Sequence, residues 1–290
     1  MNNIIWSKGP FINAYSKLDT ETVINANGIK MLINASKGII WIRNTSCNNQ
    51  VKTDLDLFAD NIHLLKFPSI LITSDGDRPV PSSYNKTTIH KILNSSFITK
   101  WYTQNYDRSI VHPKLNYFPI GFDLHTKEWL INNSIAKKLE YMMYCRKSIK
   151  NKIKNKIFSD THLSLTHLGR KQLYDKIKHN KNIDFLSEKK SFFDITQIYN
   201  RYLFVVSPRG AGFDCHRTWE LFMAGCIVIM KTSPLDKMFI DNKFPVVILN
   251  AWDVLNTDLP NKLLKWEKAL LPFTDPSIIF PKLLFQYWLR

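Results

Sequence analysis

Tyr202-Leu-Phe-Val-Val-Ser-Pro-Arg-Gly-Ala-Gly-Phe-Asp-Cys-His-Arg-Thr-Trp-Glu220 reads as a buried strand, a glycine-containing turn and a helix whose first turn carries Asp214, His216 and Arg217. A second apolar run, Cys226-Ile-Val-Ile-Met230, follows Gly225, so the unit is strand, loop, helix, strand. In an open α/β sheet, ligands bind at the loops that leave the carboxyl ends of the strands. The unpaired N–H groups and the dipole at a helix start favour an anion there. Ser207 closes the strand, Gly210 and Gly212 let backbone approach a ligand without a Cβ between, and Arg209 and Arg217 add forked donors suited to phosphate oxygens. The outline is a phosphate site. It is not a Walker loop, because no Gly-Lys-Ser/Thr follows the glycines.

Trp219, Phe222 and Met223 repeat at helical spacing and are expected to form the core stripe of that helix. Glu220 lies one turn beyond His216, so both are expected to project to the same side, near the mouth of the sheet. A carboxylate there can accept both hydroxyl protons of a ribose diol. A purely local reading covers part of the pattern: Asp214 caps the helix, His216 is a satisfied polar residue, and Arg217 and Glu220 form a helical ion pair. It leaves unexplained why two arginines, a histidine and a glutamate crowd one glycine turn.

Working outward, the carboxyl half alternates between strands and helices. Strands are expected at Ile157–Leu163, Ile183–Leu186, Leu203–Val206, Ile227–Met230 and Val246–Leu249, with helices near Lys171–Lys178, Phe192–Tyr199, Arg217–Ala224 and Leu235–Phe239. That alternation predicts a parallel, doubly wound sheet. The amino half repeats the theme, with strands at Ile39–Ile42, Ile70–Thr73, Phe97–Trp101 and Tyr117–Ile120 and a helical stretch at Leu55–Leu65. A long helix is expected over Lys127–Tyr144, with the domain boundary near Lys150. The whole reads as two Rossmann-like α/β domains, residues 1–150 and 151–275, followed by a tail, 276–290, beyond Pro272 and Pro276.

Composition agrees with this organisation. A chain of 290 residues with 44% apolar and 13% aromatic side chains has material for two cores and is not disordered. No apolar run approaches the ~18 residues of a membrane span. Met1-Asn-Asn-Ile-Ile-Trp6 lacks a basic segment followed by an apolar one, which leads to the expectation of a soluble, cytoplasmic protein, in a host cytoplasm or virion if viral. Cys47, Cys145, Cys215 and Cys226 are scattered and fit reduced thiols better than a disulfide framework or a zinc site. Of the net charge of +16, Lys137–Lys190 supplies 15 basic against 5 acidic side chains. Such a run could track a polyanion; as a solvated linker with exposed helix faces it needs no partner. Arg146-Lys-Ser-Ile-Lys-Asn-Lys-Ile-Lys-Asn-Lys156 has little aromatic interleaving, which weakens a single-strand-binding reading.

The run Ser207-Pro-Arg-Gly-x-Gly-x-Asp-Cys-His-Arg-Thr-Trp-Glu220 with Gly225-Cys-Ile resembles the donor-binding signature of exostosin-like glycosyltransferases of the GT-B superfamily, found also in bacteria and large DNA viruses. The resemblance continues through Ser233-Pro-Leu-Asp236, Phe244-Pro-Val-Val247 and Trp252. Leu71-Ile-Thr-Ser-Asp-Gly-Asp-Arg78 and Pro119-Ile-Gly-Phe-Asp-Leu-His125 are similar to the amino-terminal half of such proteins. Ala211 departs from the pattern, standing where a polar residue such as Asn is expected, and no membrane anchor like that of animal exostosins is expected. The resemblance implies two domains facing a cleft, with the tail crossing back onto the first. It also implies an inverting, metal-independent transfer of a sugar from a UDP- or GDP-sugar to a hydroxyl of a glycan or other acceptor. No cofactor beyond that co-substrate, no metal and no obligatory nucleic acid are expected. The donor site would comprise Arg170, Ser207, Arg209, Gly210, Gly212, Asp214, His216, Arg217 and Glu220.

A transfer with inversion needs one base for the acceptor proton. Asp75 and Asp77 follow a strand on an Asp-Gly turn and are the first candidates, with Arg78 placed to hold one carboxylate ionised. His112, Asp123 and His125 follow as alternatives. Asp77, Asp123 and His125 could instead be metal ligands of a phosphodiesterase, although no dense ligand spacing supports that. His162 is expected to be structural; Arg170, opening a helix, reaches a pyrophosphate or faces solvent. A non-catalytic polyanion binder is the remaining alternative.

Overall fold

The computed structural model describes residues 4–10, 26–44, 52–127, 130–132, 134–164 and 167–289. Cys47, the first residues of the chain and parts of the expected Lys127–Tyr144 helix lie outside them. The chain divides into two compact units. One holds Asn2–Ile120, Gly212–Asp214 and Leu284–Arg290; the other holds chiefly Gly121–Ala211 and Cys215–Leu283. Among the described residues no helix is long and apolar enough to cross a membrane.

The first unit carries helix α1 (Ala26–Ala35), strand β1 (Ile39–Arg43), α2 (Asp54–Asn61), β2 (Ser69–Ser74), α3 (Lys86–Asn94), β3 (Ile98–Thr103) and β4 (Leu115–Tyr117). Its four strands are parallel and lie in sequence order. Two helices start where side chains replace missing amide partners: Thr53 and Asp56 form a reciprocal capping box on α2, and Asn85 accepts from Thr87 N at α3. Trp41 and Trp101 are fully buried. Their indole N–H groups donate to Ser74 Oγ (2.8 Å) and Thr73 Oγ1 (2.9 Å), so β2's small polar residues satisfy buried aromatics. The Leu284 end of the chain also belongs here: Leu284 bridges Ile4, and Phe285 meets Phe118 edge-on at 5.9 Å.

In the second unit, α4 (Ile135–Cys145), β5 (Ile153–Ser159), α5 (Leu168–Ile177), β6 (Ile183–Phe185), α6 (Phe192–Arg201), β7 (Tyr202–Val206), α7 (His216–Met223), β8 (Ile227–Lys231), α8 (Asp236–Asp241), β9 (Val246–Leu249) and α9 (Leu259–Leu270) follow in order. The five parallel strands are arranged β6-β5-β7-β8-β9. Central strands covered on both faces read as continuous apolar runs, and β7 is buried at every residue. The Trp219, Phe222 and Met223 stripe of α7 is buried as expected, with the Phe222 and Phe244 rings stacked at 4.6 Å.

Strand β5 begins at Ile153 and ends at Ser159, four residues earlier than the expected Ile157–Leu163, whose end is instead a short 3₁₀ turn at Thr161–Leu163. The end of the basic stretch, Ile153–Lys156, is therefore strand rather than linker. Lys152 shows why: it is buried, and its ammonium donates to Asn200 O (3.0 Å) and Tyr202 O (3.2 Å), carbonyls at the end of α6. Its charge serves a helix end and not the solvent.

Candidate functional site

The connections of the second sheet run from β5 outward to β6, then back past β5 to β7 and on to β8. The carboxyl ends of β5 and β7 are thus the topological switch point, where ligands enter open α/β sheets. Asp160 and Thr161 follow β5; Ser207, Pro208 and Arg209 follow β7. Ser207 is buried and ties the strand end inward, its N–H donating to Ile229 O (2.9 Å) and its hydroxyl meeting Thr218 Oγ1 of α7 at 2.9 Å.

Arg170 is a buried strut rather than a solvent-facing residue. Its Nε donates to Arg209 O (3.1 Å), Nη1 to the carbonyl and hydroxyl of Ser164 (3.1 Å each), and Nη2 lies 3.7 Å from Cys215 Sγ. It holds both the strand end and the start of α7. Arg209 is half-buried and curls over its own turn, Nη2 donating to Ala211 O at 2.8 Å. A Cβ at Gly210 would meet only Arg170 Nη2, at an ordinary 3.6 Å. At Gly212 it would fall 2.8 Å from Asn105 Nδ2 and 3.0 Å from Asp77 Oδ1, so close approach requires glycine there.

Asp214 is not the helix cap. Cys215 occupies that position with no side-chain bond to the helix, while Asp214 Oδ2 accepts from Ile120 N at 2.8 Å. The amides of Phe213 and Asp214 both donate to Asn105 Oδ1 (2.9 and 3.1 Å). Those two turn amides already have an acceptor; the helix-start amides of His216 and Arg217 have none among the described residues.

Arg217 pairs with Asp160 Oδ2 (3.4 Å) and donates to Tyr199 Oη (3.1 Å), not with Glu220 as helical spacing suggests. Tyr199 in turn donates to Asp160 Oδ2 (2.9 Å), and Arg217 Nη1 and Asp160 Oδ1 stay buried without partners among the described residues. Glu220 faces a small cavity between α4, α6 and α7, lined also by Met142, Thr196, Tyr199, Asn200 and Ala224, rather than the mouth of the sheet. Its partner is the fully buried Lys138, at 3.7 Å, whose ammonium also donates to Asp123 O and lies 4.4 Å from the centre of the Phe192 ring. Burial pushes the Glu220 carboxyl up to about 7, against the pull of Lys138.

This shift has a measurable consequence. The folded protein holds the Glu220 proton to about pH 7, whereas the unfolded chain releases it near 4.5. Between those values the folded state binds more protons, so this contribution to stability is present in acid and lost as pH rises through 7. Glu220→Gln is expected to flatten that decline and to gain relative stability above pH 7. Urea unfolding at pH 5 and pH 8 measures it, and an identical pH slope in both proteins would refute the assignment.

His216 meets Gly121 O through Nδ1 at 2.8 Å. A carbonyl can only accept, so Nδ1 carries the proton and Nε2 is left as an acceptor. Burial holds the imidazole below its ordinary range, opposed by Asp123. Asp123 is raised by burial but held low overall by His216, Thr126 and His125. The His125 and His216 rings lie 5.4 Å apart, and His125 Nδ1 is 3.4 Å from Asp123 Oδ1. Among the described residues no three His, Cys, Asp or Glu groups converge to hold a metal ion. His162 is structural: Nε2 bonds Leu186 O at 2.8 Å and its ring stacks on Tyr174. His112 Nδ1 accepts from Lys114 N in its own turn.

On the other candidate loop, Asp75 has φ 62° and is held by Ser7 Oγ (3.3 Å) and Arg43 Nε (3.4 Å). Arg78, expected to hold a carboxylate, instead donates to Ser83 O and lies over the Tyr84 ring. Asp77 is exposed and makes no hydrogen bond or ion pair among the described residues. Lys138, Asp160, Tyr199 and Asn105, which organise these groups, escaped the sequence reading. None lies in a motif, and only a buried Lys on an apolar helix face could have drawn notice.

No family model matches the chain, and no curated protein matches it. Among the solved structures that match is the crystal structure of WaaG, a glycosyltransferase involved in lipopolysaccharide biosynthesis. It aligns over 72% of each chain at 11% identity and a TM-score of 0.34. A likeness of that degree leaves function to the residues themselves, and the exostosin-like resemblance is carried by the motif alone.

Proposed function

We propose that the chain is a glycosyltransferase of the GT-B type that moves a sugar from a nucleotide-diphosphate donor to an acceptor hydroxyl, with inversion and without a metal. The observation that carries this reading is the coincidence of the Ser207–Glu220 motif with the switch point of the second sheet. Arg209, the remaining donor of Arg217 and the amides that open α7 would take the diphosphate and the charge that builds on it as the sugar departs.

The polyanion reading is weakened by how the basic run is used. Lys154 pairs with Glu267 (2.6 Å), Lys156 with Asp184 (2.6 Å), Lys178 with Asp175 (3.2 Å) and Lys190 with Glu188 (2.6 Å), while Lys152 and Arg170 are buried on carbonyls.

Thermal unfolding with a panel of UDP- and GDP-sugars tests the proposal, since a ligand at 100 times its Kd stabilises by about 2.7 kcal/mol. Arg209→Ala is expected to weaken nucleoside diphosphate more than nucleoside, and transfer is expected to survive EDTA. No stabilisation by any nucleotide sugar, or equal losses for nucleoside and diphosphate, would overturn it.

A further inference from the structure

We propose that Asn105 is the positioning residue for this reaction, one side chain that locks the Gly212–Asp214 turn of the donor motif to the Asp75–Asp77 loop. The inference rests on the transferase reading for its consequence and on geometry for the lock itself. Asn105 follows β3, is 1% exposed, and has φ 55°, in the left-handed region that Asn enters more readily than most residues.

Its orientation is dictated by its neighbours. Two amides, Phe213 N and Asp214 N, face one side of the group and demand an oxygen. A carbonyl, Gly76 O at 3.0 Å, faces the other and demands the NH₂. The same carbonyl also receives Gln104 Nε2 (2.9 Å) and Asn44 Nδ2 (3.3 Å). Only glycine fits at position 76, because a Cβ there would lie 1.7 Å from the Asn44 carbonyl oxygen.

Asp77, the residue after this clamped peptide, makes no hydrogen bond or ion pair of its own among the described residues, so the Gly76 peptide is what places it there. The Gly212 contact shows the result: the position of a Cβ on the turn lies 3.0 Å from Asp77 Oδ1. Asn105 thus bonds both to the turn amides and to the peptide that precedes the candidate base, while itself carrying no chemistry.

The two halves of the lock can be cut separately. Asn105→Asp keeps an acceptor for both turn amides, keeps a residue tolerant of positive φ, and removes the donor to Gly76 O. Asn105→Gly keeps the backbone conformation and removes both. Hydrogen exchange followed by mass spectrometry reads the lock without any substrate. Peptides covering Phe213–Asp214 are expected to lose protection in the Gly variant and keep it in the Asp variant, with the Gly76–Arg78 segment loosened in both.

Steady-state transfer reads the consequence. In the Asp variant kcat is expected to fall about 100-fold, the cost of a misplacement of about 1 Å, with donor KM within about three-fold. Unchanged exchange at Phe213–Asp214 in the Gly variant would overturn the lock. Unchanged kcat in a folded Asp variant, with the exchange pattern as expected, would overturn the positioning role. Absence of any transfer by the wild type would instead count against the transferase reading, and exchange would still decide the lock.

Discussion

Asp77→Asn is expected to reduce sugar transfer by about 10²–10⁴-fold, the usual cost of removing a general base, while nucleotide binding stays intact. The two carboxylates of the loop are chemically alike but differently employed. Asp75 occupies a left-handed backbone position and is engaged by Ser7 and Arg43. Asp77 is exposed, lies against Gly212 and has no partner among the described residues. A base needs an acceptor oxygen that no protein group already occupies, and Asp77 provides it. Asp75→Asn is expected to loosen the loop with a smaller effect on rate. Single-turnover kinetics with parallel nucleotide titration separates the two. Near-normal turnover in both single variants and in the double variant would place the base elsewhere, with Asp123, His125, His112 and the Nε2 of His216 next to be tried.

The second large effect is on stability. Lys138→Met is expected to destabilise the protein by about 3–5 kcal/mol, the range for breaking a buried ion pair from one side. The substitution preserves volume and apolar stem but takes away the cation nearest Glu220 Oε1, which already lacks a hydrogen bond, and removes the donor to Asp123 O. Adding Glu220→Gln is expected to recover a substantial part of the loss, because no uncompensated charge then remains buried. Denaturant unfolding of the two single variants and the double variant gives the coupling. A Lys138→Met protein as stable as the wild type would show that this ion pair does not hold α4 to α7.

The alternation of apolar runs and helical patterns in the carboxyl half was legible because each central strand is covered on both faces and so is apolar throughout, as in Tyr202–Val206. The glycine turn and the helix after it were legible because Ser207–Glu220 is continuous in the chain. Strand β5 was half-missed because Lys154 and Lys156 look like solvent-facing charge, whereas each is partly buried and paired, with Glu267 and Asp184. Helices α1 and α3 went unread although Ile29, Leu32 and Ile33 in the one and Ile89, Ile92 and Leu93 in the other repeat at helical spacing and are buried.

Local order alone determined that Ser207, Arg209, Gly210 and Gly212 gather at a strand end, that α7 begins beside them, and that Trp219 and Phe222 face a core. It could not determine which charges meet. Helical spacing allows Arg217 to pair with Glu220, yet Asp160 from another strand end and Lys138 from another helix take the two partners. Asp214 could cap its own helix, yet it accepts the amide of Ile120, far away in sequence. The reason is general. A polar side chain removed from water takes the partner that the packed elements bring within hydrogen-bonding reach, and for residues distant in sequence that choice exists only once the strands and helices are in place.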